Sequence, residues 1–242
     1  MTSSQDDTES GIRETDVRVV LRSLYVVALL LVGIEVAAAQ DALYVVGYVE
    51  AVPQSTEQTR ALITQYTKAL RQEPGAVQSL ALQRIEAPNQ FAIIEVWKDK
   101  ETQAIHAAAV SSQAFRASLA PLLRSPYDER THVPINVAPM TKPSAADAVY
   151  VVTHIDIVPP SQAAGIGQIR ALSDDSRKDS GNLRFDALQQ TSRGNHETLI
   201  EAWENASALD RHGASDHMKD FRGKLFPISG SLYDERLYRV IQ

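Results

Sequence analysis

Shifting the 242-residue sequence by 106 positions lays its second half over its first without a gap. Tyr44, Val45, Val46, Val52 and Pro53 fall on Tyr150, Val151, Val152, Val158 and Pro159. Glu95 and Trp97 fall on Glu201 and Trp203, His106 on His212, and Phe115 and Arg116 on Phe221 and Arg222. The run from Tyr127 to Arg130 repeats letter for letter from Tyr233 to Arg236. More than two dozen identities over 93 positions are several times the chance expectation. A chain built this way folds as two copies of one unit, so the element order of one copy decides the architecture. The boundaries expected are residues 1–39 for a leader, 43–135 for the first copy, 136–148 for a linker and 149–241 for the second copy. The linker contains Pro139, Pro143 and Ser144, as a connecting segment should.

Each copy reads β-α-β-β-α-β. Residues 44–52 are rich in β-branched and aromatic side chains and stop at Pro53, which predicts a strand. Residues 56–72 place Leu62, Ile63, Tyr66, Ala69 and Leu70 at helical spacing, and Glu73, Pro74 and Gly75 end the helix. Residues 77–85 and 91–97 are strands around a turn at Ala87, Pro88 and Asn89. Residues 100–123 form one mostly helical, Ala-rich segment that Pro121 breaks near its end, and 127–135 are the closing strand. In the second copy Gly165 and Gly167 are expected to weaken the first helix. This order gives a split βαβ, ferredoxin-like unit with helices on one face of its sheet. The bare face needs a cover. The nearest cover is the other copy, so the fold expected is α+β: two tandem ferredoxin-like units packed sheet to sheet as an intramolecular pseudo-dimeric barrel. A sister chain could cover such a face too, which leaves a homodimer open.

The first 39 residues read as an address. Arg18 and Arg22 precede an apolar run over residues 24–34, and Ala37, Ala38 and Ala39 follow it. A basic flank, a short apolar core and an A-x-A site make a secretory signal peptide. The run is too short to span a bilayer comfortably. Cleavage after Ala39 would export a chain beginning at Gln40 to the periplasm or medium; a retained membrane anchor is the alternative. Asp6, Asp7, Glu9, Glu14 and Asp16 make an unusually acidic leader, which fits a true start nearer Val17.

The chain has no cysteine, which excludes disulfides, thiolate catalysis and Cys-ligated metal. A net charge of -6 argues against nucleic acid as a partner. There is no P-loop, dinucleotide fingerprint or nucleophile elbow. In the second copy Glu201-Ala-Trp203 is followed by His212 and then by His217-Met218 and Phe221, and preceded by Gly181-Asn182 and Phe185. This pattern resembles the antibiotic biosynthesis monooxygenase (ABM) family of dimeric α+β barrels, over nearly all of both copies. The resemblance implies cofactor-independent oxygenation of an electron-rich aromatic, a hydroquinone or polyphenol, with dioxygen as co-substrate and no cofactor or metal. Heme-degrading relatives carry an Asn on the first strand, where this chain has Gly47-Tyr48 and Thr153-His154. A non-catalytic exported barrel holding an aromatic ligand is the alternative reading.

The two copies are unequal in chemistry. Tyr48, Ala76, Ser79 and Ser111 stand where the second copy has His154, Asn182, Phe185 and His217, so the second copy is expected to hold any site. His212 is the candidate base, since imidazole titrates near neutrality. Trp203 offers a stacking wall and Asn182 a donor to an oxyanion. His154, Phe185, Glu201 and His217 complete the expected substrate-binding set. Glu201, on an apolar strand, needs a partner: a His to orient, or an Arg such as Arg222. The bland alternatives are core packing for Trp203, a turn for Asn182 and a helix cap for His212. The five-residue step from His212 to His217 is not a shared helix face, which makes them poor joint metal ligands on a regular helix. The two Tyr-Asp-Glu-Arg segments are expected to form an ion-pair network at the seam.

Overall fold

The computed structural model describes residues 41–139 and 147–241. The predicted leader lies outside the described residues. Each copy forms four strands: β1 (Leu43–Glu50), β2 (Ala76–Arg84), β3 (Gln90–Trp97) and β4 (Asp128–Asn136), then β5 (Val149–Asp156), β6 (Asn182–Gln190), β7 (His196–Trp203) and β8 (Asp234–Val240). The helices are α1 (Thr56–Leu70), α2 (Lys100–Ala108) and α3 (Val110–Leu119), with α4 (Gln162–Ser176), α5 (Ala206–Gly213) and α6 (Asp216–Leu225) as their counterparts.

The eight strands close into one barrel in the order β1-β3-β2-β8-β5-β7-β6-β4. Within a copy every pairing is antiparallel. The copies meet at two seams, with Arg84 opposite Tyr238 between β2 and β8, and His132 opposite Gln190 between β4 and β6. Among the described residues, closure leaves no sheet edge for another chain to extend. It also makes strand parity decisive. Tyr44, Val46, Leu82, Ile94, Tyr150, Val152, Leu188, Ile200 and Tyr238 pack inside the barrel. Alternate residues face the helices: Val49, Phe91 and Ile93 meet Ile63, Phe115 and Leu119 in the first copy. Val151, Phe185, Leu199 and Trp203 meet Ile169, Leu172, Met218, Phe221 and Leu225 in the second.

One local reading needs correction, in both copies. The segment over residues 100–123 is not one helix: Ala109 sits extended at φ -65°, ψ 148° between α2 and α3. Its counterpart Ser215 is extended at φ -66°, ψ 157° and accepts a hydrogen bond from the Met218 backbone N–H, capping α6. Gly165 and Gly167 both lie inside α4, which runs 15 residues, as α1 does. A Cβ at Gly165 would collide with the Ile157 side chain, so this glycine permits close helix–strand approach. The turns before β2 and β6 need Gly75 and Gly181 at φ 82° and 87°.

Candidate active site between helices and sheet

The Glu-x-Trp motif builds the floor of the site. Two-residue spacing on a strand puts both side chains on the helix-facing side. Trp203 donates its indole N–H to Glu201 Oε2 at 2.9 Å, and Trp97 does the same to Glu95 at 3.0 Å. Glu201 therefore takes its partner from its own strand; Arg222 instead reaches Glu235 at 3.6 Å. Burial pushes the Glu201 carboxyl up to about 8, although the indole N–H works against it.

His212 lies flat on Trp203, with ring centroids 4.4 Å apart and planes 26° from parallel. Trp203 is fully buried and His212 is 2% exposed. The imidazole thus covers a face of the indole that a substrate would have stacked on, and Trp203 backs the histidine. Phe185 meets His212 edge-on at 5.9 Å. Nδ1 of His212 is 2.8 Å from Asp179 Oδ2. Asp179, in the turn after α4, was not singled out by the sequence; its only signal is its alignment with Glu73, which contacts His106 in the same way at 2.6 Å. Burial lowers the His212 pKa, with Asp179 opposing it. A carboxylate on Nδ1 favours the tautomer with its lone pair on Nε2. That Nε2 is buried, has no hydrogen-bond partner among the described residues, and lies 3.9 Å from Glu201 Oε2.

In the first copy the same nitrogen is occupied. The Tyr66 hydroxyl is 2.8 Å from His106 Nε2 and donates to Glu95 Oε1 at 2.7 Å. The Tyr66 ring stacks on Phe115 at 3.8 Å and 9°. The second copy has Leu172 in place of Tyr66 and retains Phe221 in place of Phe115. Leu172, Phe221 and His217 line a groove of about 310 Å³ between α4 and α6.

The structure brings His212, Trp203, Glu201, Phe185 and His217 together. The break at Ser215 overcomes the five-residue spacing: His217 sits in the first turn of α6, its ring 5.5 Å from that of His212, with Nε2 3.1 Å from Asp179 Oδ2. Asn182 opens β6 opposite Trp203 and spends one amide hydrogen on the Arg184 carbonyl. His154 is not part of this group. Strand parity turns it into the barrel mouth, where its Nε2 meets His196 Nδ1 at 3.0 Å and burial lowers its pKa to about 4. That mouth is a polar cavity of about 430 Å³. The two Tyr-Asp-Glu-Arg segments meet there: Arg130 pairs with Asp128 and Arg236 with Asp234, and both guanidinium groups lie over the Tyr48 ring.

A closed eight-stranded barrel made of two βαββαβ units, with a Trp-backed histidine under the helices of each, defines a dimeric α+β barrel fused into one chain. The chain belongs to the antibiotic biosynthesis monooxygenase family, whose model matches residues 42–119 and 148–224. Among solved structures it is similar to a protein assigned as a monooxygenase from Fusobacterium nucleatum, at 14% identity and TM-score 0.75, covering 83% of this chain and 93% of that one. A corresponding protein from Lactobacillus acidophilus gives 12% identity and TM-score 0.68, covering 83% and 94%. An anthrone oxidase-like protein gives 13% and 0.66, covering 85% and 93%. No curated protein sequence matches the chain. Among the described residues no helix is long and apolar enough to cross a membrane.

Proposed function

We propose that the second copy oxygenates a phenolic substrate, a hydroquinone or polyphenol, with His212 as the base and no organic cofactor. The observation that carries this reading is Tyr66. In the first copy the protein's own phenol sits between a histidine Nε2 and a buried glutamate, its ring stacked on Phe115. The second copy keeps the histidine, the glutamate and the phenylalanine but lacks the phenol. A substrate phenol entering from the groove takes the place of Tyr66, stacks on Phe221 and hands its proton to His212 Nε2. The electron-rich anion then reduces dioxygen: one oxygen atom enters the ring, the other leaves as water, and a hydroquinone ends as a hydroxyquinone. Asp179 and Trp203 position the imidazole. Asn182 has a second amide hydrogen for the developing oxyanion.

Dioxygen uptake by the full chain, stripped of metal and offered a panel of hydroquinones, tests the reading. The expected result is uptake that falls by about 10²–10⁴ in His212→Ala and stays in His106→Ala. Phenol binding without uptake would replace the oxygenase reading with that of an aromatic-binding module. The basic flank, apolar run and A-x-A site support export, and N-terminal sequencing of the native protein tests it; Gln40 as first residue is expected.

A further inference from the structure

We propose that Asp179, His212 and His217 form a binding site for a borderline divalent metal ion of the zinc class, present in the second copy alone. The three side chains come from the turn after α4, the last turn of α5 and the first turn of α6. One ligand atom from each lies within 4.8 Å of the others. Asp179 Oδ2 is 2.8 Å from His212 Nδ1 and 3.1 Å from His217 Nε2, so one carboxylate oxygen serves two imidazoles. A tetrahedral ion with bonds of about 2.0–2.1 Å separates its ligand atoms by roughly 3.3 Å. The two contacts to Asp179 would open by a few tenths of an ångström to admit it, while the two imidazole nitrogens already lie within 4.8 Å of each other. Two imidazoles and a carboxylate suit zinc, cobalt or nickel better than calcium or magnesium, which take all-oxygen sets. The His217 and Asp179 side chains are 22% and 24% exposed, which leaves a side open for water as a further ligand.

A second observation points the same way. A histidine that binds metal through one nitrogen donates its other N–H to a carboxylate, a backbone carbonyl or water. Nε2 of His212 is buried, unpartnered and faces Glu201 across 3.9 Å. The first copy shows what is needed to build the site. Glu73 and His106 are in place there, but Ser111 stands for His217, and Tyr66 and Ser112 crowd the imidazole. The second copy replaces all three, with His217, Leu172 and Met218.

Metal at Nδ1 fixes the proton on Nε2. The ion and the base function then exclude each other, and added metal shuts off turnover; this consequence rests on the oxygenase reading above, whereas binding does not. Zinc binding to the metal-stripped full chain, followed by competition with a chromophoric chelator, tests the site, with Co²⁺ absorption as a second probe. One equivalent is expected per chain, weakened at least tenfold in His217→Ser and in Asp179→Asn. Glu73→Gln, the first-copy counterpart, leaves it unchanged. Thermal melts with and without zinc accompany each variant, since an ion bound only by the native state raises Tm. Absence of a one-equivalent zinc event, or binding that survives in the folded His217→Ser and Asp179→Asn proteins, overturns the proposal.

Discussion

The two halves of this barrel are the same fold with opposite treatment of one buried histidine. In the first copy His106 is saturated: Glu73 holds Nδ1 and the Tyr66 hydroxyl reaches Nε2. In the second, Asp179 holds Nδ1 and Nε2 has no partner among the described residues. A buried polar atom without a partner costs about 1–3 kcal/mol. The first copy avoids that cost by placing the Tyr66 hydroxyl on Nε2; the second carries it. Duplication allows this division, because the barrel closes through strands of both copies whichever histidine is left unpartnered.

The comparison breaks most sharply if the occupant is moved. Leu172→Tyr should rebuild the first copy's arrangement in the second, with the new phenol on Phe221 and its hydroxyl against His212. Loss of phenol binding and a drop in oxygen uptake of about 10²-fold or more are expected. Retained uptake would mean that the substrate does not occupy the position of Tyr66. Tyr66→Leu makes the reverse change. It removes a half-buried ring and two hydrogen bonds, so a loss of about 2–4 kcal/mol is expected in denaturant unfolding. Phenol added in excess should return part of it by filling the vacated space. No rescue by phenol would show that the space collapses.

A smaller effect separates Phe91 from its counterpart Glu197. Phe91 packs in the first core, whereas Glu197 is fully buried with neither carboxylate oxygen partnered among the described residues. Burial, with Asp156 nearby, pushes its pKa up to about 8. The folded state therefore prefers the protonated acid. The stability Glu197 contributes is complete below the ordinary carboxylate range and is lost as pH rises through about 8. Glu197→Gln should melt close to wild type at acid pH and gain about 1–3 kcal/mol over it in alkaline buffer. A gap that is constant with pH would place the ionised form comfortably in the fold.

The repeat made the architecture legible, because a gapless shift turns one βαββαβ reading into two and leaves two bare sheets to cover each other. Strand parity correctly put Glu201 and Trp203 on one face. It was not used to separate His154 from them, although residues 154 and 151 on one strand must face opposite ways. The break at Ala109 carries no sequence signal, since alanine is a helix former, whereas the one at Ser215 is marked by Gly213 and a capping serine; reading that boundary would have brought His217 toward His212. Tyr66 was read only as one member of an apolar helix face. Its hydroxyl is visible as a plug only once the Leu172 substitution is seen in three dimensions.

The smallest expected difference lies at the outer ends of the repeated Tyr-Asp-Glu-Arg segments, which share one sequence and differ in geometry. Arg116 grips Glu129 with two hydrogen bonds, at 2.8 and 3.1 Å. Arg222 stands 3.6 Å from Glu235, with its guanidinium group over the Tyr233 ring instead. All four side chains are partly solvated, so Coulomb attraction is screened and geometry decides what remains. A double-mutant cycle to alanine should give about 0.5–1 kcal/mol of coupling for Arg116 and Glu129, and about 0–0.3 kcal/mol for Arg222 and Glu235. Salt at 1 M should erase most of the first value and leave the second unchanged. Equal couplings would mean that the two-point contact adds nothing over a loose one, and that the second copy is as firmly tied to its strand as the first.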